Sequence, residues 1–242
     1  MTTRVDEIAD GIYRISTFVP DVAPPDGFTF NQFLLRDEEP TLFHCGMRAL
    51  FPAVSEAVGR VLPLSRLRWI AFGHLEADEC GSMNQWLAAA PHAQIMHGAV
   101  GCMTSIGDLA DRAPRPLDDG TVVPVGQKRL LYRATPHVPH GWDAGVLFEE
   151  TTKTLLCGDL FTHTGNGPAR VESDVLAPAM ATDAMFLAEA VTPRSGATLR
   201  GLAALQPKLL AIMHGSSFAG DGAGTLNGLA AHFDARLRAG PL

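Results

Sequence analysis

Apolar residues run along this chain in short bursts separated by Pro, Gly and Asp. Ile12 to Thr17, Phe28 to Arg36 and Thr41 to Cys45 are rich in β-branched and aromatic residues and read as strands. From Arg48 to Val61 the period changes: Leu50, Val54, Val58 and Val61 recur at helical spacing and predict a helix. Leu67 to Phe72 is a continuous apolar run, the pattern of a buried strand. Ser82 to Ala90 reads as a helix stopped by Pro91, and Ala93 to Met96 as a short strand. Ile106 to Gly120 is polar and Pro-rich, which predicts a surface loop. Arg129 to Ala134, Ala144 to Glu149 and Thr154 to Cys157 are three more strands, with Thr151–Lys153 as a hairpin turn. Helices over Asp174–Glu189 and Ser195–Leu205, a strand over Leu209–Met213 and a helix over Gly224–Leu237 complete the pattern. No repeat or linker divides the chain, so residues 1–242 read as one domain of two mixed sheets covered by helices.

Composition narrows the function classes. Of 242 residues, 46% are apolar, enough for one full core, and the net charge is −7. No block of Lys and Arg supplies an electrostatic footprint for nucleic acid. No apolar run is long enough to span a bilayer, and the N-terminus lacks a signal-peptide pattern. Cys45, Cys80, Cys102 and Cys157 form no CxxC pair, so a reduced, cytoplasmic protein is expected. Cys80 and Cys157 read as small buried residues, as do Met83, Trp86 and Leu87 as core packing. The GNGP at 165–168 and GDGAG at 220–224 are turn signals without the context of a phosphate loop.

The chemistry concentrates at strand ends. FGHLEADE, residues 72–79, follows the buried strand at 67–72 and places His74, Glu76 and Asp78 two apart, then adds Glu79. In an extended segment side chains two apart share a side, so the three converge if the loop stays extended. Carboxylates held so close repel unless a cation sits among them. A helix N-terminus capped by Asp78 and Glu79 would be the plainer account of the local sequence. Three further strand ends repeat the design: ATPHVPHGWDAG with His137 and His140, LLCGDLFTH with Asp159, and LLAIMHGSS with His214. A single strand-end histidine is usually structural, whereas four strand ends delivering imidazole or carboxylate predict a metal centre.

The pattern resembles the metallo-β-lactamase fold: α+β, a four-layer αββα sandwich of two mixed β-sheets flanked by helices. The motif His74-x-Glu76-x-Asp78-Glu79 carries glutamate in its second place, as in the diiron branch of that family, the flavodiiron proteins and the related oxygen-binding diiron proteins. The spacing fits that branch too: 61 residues separate Asp78 from His140, 18 separate His140 from Asp159, and 54 separate Asp159 from His214. This fit selects His140 over His137, and Asp143 falls where the branch carries an aspartate. The resemblance implies one metal on His74, Glu76, His140 and Asp159, a second on Asp78, Asp159 and His214, and Asp159 as the bridge. Glu79 departs from the family, which usually has a histidine there. It would ligate the second metal itself, turn outward and leave that site weak, or be helped by His44 near the end of the strand Thr41–Cys45; Glu79, His44 and His137 are also candidates to support the ligands from behind.

Hard carboxylate ligands with imidazole suit iron or manganese better than a soft thiolate set would, zinc stays open, and the resemblance puts iron ahead of zinc or manganese. The resemblance implies a non-haem diiron centre that binds or reduces dioxygen or nitric oxide. Only 28 residues follow His214, which leaves no room for a flavin domain, so a separate electron-transfer protein would be the partner. Hydrolysis of an ester, thioester or lactam by a metal-bridging water is the alternative, with His137 or His163 as proton donor. A non-catalytic domain with a degenerate site is the third reading, supported by Glu79. Trp142 lines the pocket or packs on the sheet, residues 161–173 form a lip over the metals, and a homodimer is compatible with all of this.

Overall fold

The computed structural model describes residues 2–239. Two seven-stranded sheets face each other. The first contains β1 (Thr3–Ala9), β2 (Ile12–Val19), β3 (Phe28–Leu35), β4 (Thr41–Phe43), β5 (Trp69–Ala71), β6 (Gln94–Gly98) and β7 (Arg115–Leu117), side by side in chain order. Its first four strands are an antiparallel meander; β4 to β7 are parallel. The second sheet orders its strands β12, β14, β13, β11, β10, β9, β8. These are β8 (Val122–Pro124), β9 (Arg129–Ala134), β10 (Gly145–Glu149), β11 (Thr154–Leu156), β12 (Arg170–Val171), β13 (Leu209–Ala211) and β14 (Ser217–Ala219).

The parallel connections of the first sheet carry α1 (Phe51–Gly59), the single turn α2 (Ala77–Cys80), α3 (Met83–Ala89) and two short turns, α4 (Ala99–Gly101) and α5 (Gly107–Leu109). The second sheet is covered by α6 (Leu176–Phe186), α7 (Ser195–Ala203) and α8 (Gly222–Ala239). Because strand side chains alternate, each sheet has an inner and an outer apolar face. Ile12, Phe33, Phe43, Leu130, Leu147 and Leu156 fill the space between the sheets. Val54, Val58, Trp86 and Leu87 pack on the outer face of the first sheet, and Leu199, Leu226 and Phe233 on that of the second. The result is the αββα sandwich read from the sequence. No helix among the described residues is long and apolar enough to cross a membrane.

The differences from the sequence reading lie at sheet edges. The predicted loop at 106–120 contains α5 and the edge strand β7, which pairs with β6 in spite of Pro116. An edge strand tolerates proline because one side of its ladder has no partner. β1 escaped prediction since only Ile8 of its seven residues is buried, so no clean alternation marks it. β8, β12 and β14 have two or three residues each, too few to show a period.

Candidate metal centre

The loops at one end of the sandwich bring six of the predicted ligands together. After β5 the backbone stays extended only as far as Glu76 (φ −140°, ψ 155°), and α2 begins at the next residue. His74 and Glu76 therefore share a side, with Nε2 and Oε2 2.9 Å apart. Asp78 lies in the helical turn and faces elsewhere: its Oδ2 is 3.2 Å from His214 Nε2. The three side chains thus do not converge through one extended loop, as the sequence suggested. They divide between two groups.

Asp159 joins those groups. Its Oδ2 lies 3.3 Å from His140 Nε2 and 3.7 Å from His74 Nε2, while its Oδ1 lies 3.2 Å from His214 Nε2. His140 Nε2 is also 3.2 Å from Glu76 Oε2. Ligand atoms of His74, Glu76, His140 and Asp159 all lie within 4.8 Å of one another, close enough to share one ion. Asp78, Asp159 and His214 form a smaller group with three donors. Asp78 Oδ1 is buried without a hydrogen-bond partner, so the donors exceed the protein's own needs.

Glu79 takes the supporting place and not a ligand's. It neither faces the metal groups nor turns outward; it is fully buried and points back beneath His74. Its Oε2 accepts hydrogen bonds from the backbone N–H groups of Gly73 and His74, and its Oε1 lies 3.2 Å from His74 Nδ1. Such a carboxylate behind an imidazole fixes the ring and leaves Nε2 for a ligand. Gly73 leaves room for this approach: a Cβ there would sit 2.9 Å from Glu79 Oε2 and force the carboxylate to shift. His44 lies deeper still, with Nε2 3.7 Å from Glu79 Oε1 and Nδ1 3.3 Å from Asn31 O. It is not in the ligand group; it touches the centre only through Glu79.

The His214 turn is held from the opposite sheet. Asn31 on β3 donates from its backbone N to Met213 O at 3.0 Å and from Nδ2 to Ile212 O and Gly215 O, each at 2.9 Å. Buried Arg14 on β2 donates to Gly215 O at 2.8 Å. His214 Nδ1 is 2.8 Å from Thr29 O, which turns Nε2 to the carboxylates. Phe28 stacks on the His214 ring at a centroid distance of 4.3 Å.

The remaining predicted residues are structural or distant. His137 is exposed, and its backbone N–H bonds Gly141 O. His163 uses both ring nitrogens, Nδ1 toward Phe161 O and Nε2 as acceptor from the Ser216 N–H, so it has no free proton donor for a substrate. Trp142 is 57% exposed and lines a separate surface cavity, away from the metal groups. Of the 161–173 lip, Thr162 alone reaches the main cavity. All four cysteines are free and buried. Asp143 stands behind the site, where its Oδ2 accepts from the Leu75 N–H at 3.1 Å and meets His97 Nε2 at 3.3 Å. His97 was missed by sequence reasoning. It is the penultimate residue of β6, close to a strand end like the others, so the signal that found them was present there too.

The electrostatics are those of cation ligands carrying protons instead. His140 is raised to about 9 by hydrogen bonds to Asp159 and Glu76. Burial opposes charge on His214 and His74, but their carboxylate neighbours outweigh it and lift them to about 10 and about 12. Glu76 is held down at about 2 by hydrogen bonds from His140 and His74. Burial penalises Asp159 most, yet the histidines hold it well below the usual carboxylate range. A divalent ion would replace these protons and answer the same carboxylates. The group of His74, Glu76, His140 and Asp159 therefore fits a metal ion, and Asp78 with His214 stands beside it through Asp159.

In front of the centre opens a cavity of about 380 Å³. It is lined by Glu76, Asp78, His140, Asp159 and His214, by the aromatic rings of Phe28, Phe30 and Phe186, and by Asp183 and Glu189.

Comparison with known proteins agrees with this architecture. Residues 28–190 match the model of the ODP family beta lactamase. The chain is 25% identical over 162 residues to putative diflavin flavoprotein A 1 of Thermosynechococcus vestitus, covering 65% of this chain and 28% of that one. It is 23% identical over 205 residues to rubredoxin-oxygen oxidoreductase of Megalodesulfovibrio gigas, covering 81% and 50%. The chain thus spans half or less of the length of these curated relatives. The crystal structure of the flavodiiron protein from Giardia intestinalis superposes with a TM-score of 0.80 at 17% identity, over 96% of this chain and 60% of that one. With the family model matching two-thirds of its length, the chain belongs to the ODP family of β-lactamase-fold proteins.

Proposed function

We propose that this domain holds two metal ions, iron ahead of zinc or manganese, and binds or reduces dioxygen or nitric oxide with electrons from a separate donor protein. The observation that carries the reading is Asp159, whose two oxygens divide between His74 with His140 on one side and His214 on the other. His74, Glu76, His140 and Asp159 would hold one ion; Asp78, Asp159 and His214 would hold the other. Two ferrous ions would supply the electrons that pass to the gas. Glu79 keeps the His74 ring in place, and Thr29 does the same for His214 through its carbonyl. Phe28 and Phe30 pack on His214 and exclude water from that side. Similarity to a rubredoxin-oxygen oxidoreductase supports an external donor, and likeness to a flavodiiron protein supports iron.

The test is anaerobic loading with ferrous iron, metal analysis, and absorption spectra before and after admitting air. About two irons per chain and a new oxygen-dependent band are expected; a full complement of iron with no spectral change contradicts gas chemistry. Hydrolysis is the second reading, favoured by one feature: the cavity of about 380 Å³ is far larger than a diatomic gas needs.

A further inference from the structure

The cavity poses a problem of size and of charge. One liquid water takes up about 30 Å³ and a diatomic gas is of similar order. A volume of about 380 Å³ falls instead in the range of pockets that enclose organic molecules. Its walls match such a molecule: Val22, Phe28, Phe30, Pro139 and Phe186 give it apolar faces. Phe186 meets Phe28 edge-on at 6.0 Å, and Phe28 in turn covers His214, so the aromatic wall runs unbroken from the rim to the metal ligands.

The polar lining falls into two groups. One is the candidate metal centre, which would attract a ligand oxygen. The other is Asp183 from α6 and Glu189 from the segment after it, facing one guanidinium. Arg236 Nη1 of α8 bonds Asp183 Oδ2 and lies 3.3 Å from Glu189 Oε2. Two carboxylates thus share one guanidinium, and His140 is the other cation acting on Glu189. His232 does not make up the difference, because burial and Arg236 both disfavour its charged form. Burial and the Asp183 charge outweigh Arg236 and His140 and push Glu189 up to about 8, so at neutral pH it holds a proton until a cation binds beside it. The segment is also tied to the metal loop, since Ala190 N donates to Pro139 O at 2.7 Å beside His140.

We infer that the cavity binds an organic molecule with an apolar body and a positively charged ammonium head, the body lying along Phe28 and Phe186 and the head reaching Glu189. Binding does not depend on which chemistry the metals perform. It names the substrate or co-substrate class under either reading.

The test uses the full chain loaded with zinc, which is redox-silent, and titrates it calorimetrically with 4-phenylbutylamine and with the matching neutral 4-phenylbutan-1-ol. The amine is expected to bind at least tenfold more tightly than the alcohol. Glu189→Gln should remove that advantage and leave the alcohol unchanged; Phe186→Ala should weaken both. Zinc content and thermal unfolding establish that each variant is folded and loaded. Equal binding of amine and alcohol, or an amine preference that survives Glu189→Gln, overturns the inference. Loss of amine binding on removing zinc, with no effect of Glu189→Gln, also overturns it, because the nitrogen would then be coordinating the metal. A chain that takes up no zinc yet keeps the Glu189-dependent preference contradicts the metal proposal and leaves the pocket inference standing.

Discussion

The two halves of the candidate centre are built to different standards. His74, Glu76, His140 and Asp159 offer four side chains, and one of them, His74, is braced from behind by the buried carboxylate of Glu79. Asp78, Asp159 and His214 offer three, and His214 is braced by a backbone carbonyl and an aromatic face. In the first half an ionised group was turned inward to orient a ligand; in the second, the position that could have added a ligand was given up. Metal affinity is therefore expected to be unequal, with the first half filling first.

Asp159 is common to both halves, and its loss should have the largest effect. Asp159→Ala should take the metal content from about two per chain to near zero, read by elemental analysis of the purified protein. Retention of two metals would remove the bridge from the account. Removing a member of one half alone is the next largest effect. Asp78→Ala or His214→Ala should leave about one metal per chain, held by the four-donor half. Equal loss of both metals would mean that the halves are not separable.

Glu79 sharpens the comparison. Glu79→Gln keeps the shape but weakens the hold on His74 Nδ1, and metal affinity of the first half should fall by about 10- to 100-fold. Glu79→His, which restores the residue usual in the family, should not strengthen the second half. It strips the Gly73 and His74 N–H groups of their acceptor at about 1–3 kcal/mol each and should lower the melting temperature. Stronger second-metal binding in that variant would show that Glu79 blocks a ligand position after all.

A smaller effect follows from pH. In the metal-free protein the folded-state values of His140, His214 and His74 are raised to about 9, 10 and 12, above the ordinary value near 6.5. Groups raised on folding contribute stability that is complete below the unfolded value and lost as pH rises through the folded one. The stability these histidines lend the metal-free protein should therefore fall from about pH 6.5 upward and be gone by about pH 12, while metal-loaded protein holds it through the lower part of that range. Metal affinity should have the opposite slope, rising with pH as the imidazoles give up their protons. Denaturant midpoints and metal titrations from pH 6 to 10 measure both; parallel slopes would contradict proton displacement. Least affected should be His137→Ala, an exposed change expected to stay within about 0.5 kcal/mol and to leave metal content alone.

Much of this was readable in the sequence because it rests on period and position. Long buried strands such as Phe28–Leu35 advertise themselves, and ligands at strand ends inherit the rigidity of the sheet. What escaped depends on direction. Asp78 and Glu79 are neighbours, yet α2 begins at Ala77 and its turn sends one to His214 and the other beneath His74. No spacing rule distinguishes these outcomes, since the choice is made by the Gly73 and His74 amides that bind Glu79. Likewise the pairing of Asp183 and Glu189 with Arg236 joins residues about fifty positions apart across α6 and α8. Only tertiary packing reveals it.

The most direct test of the central claim is a crystal structure of the iron-loaded protein with anomalous scattering measured at the iron edge. The account predicts two iron peaks in each chain, with one Asp159 oxygen toward each and Glu79 against His74 Nδ1 and bound to neither. A single peak, or Glu79 coordinating iron, would contradict it.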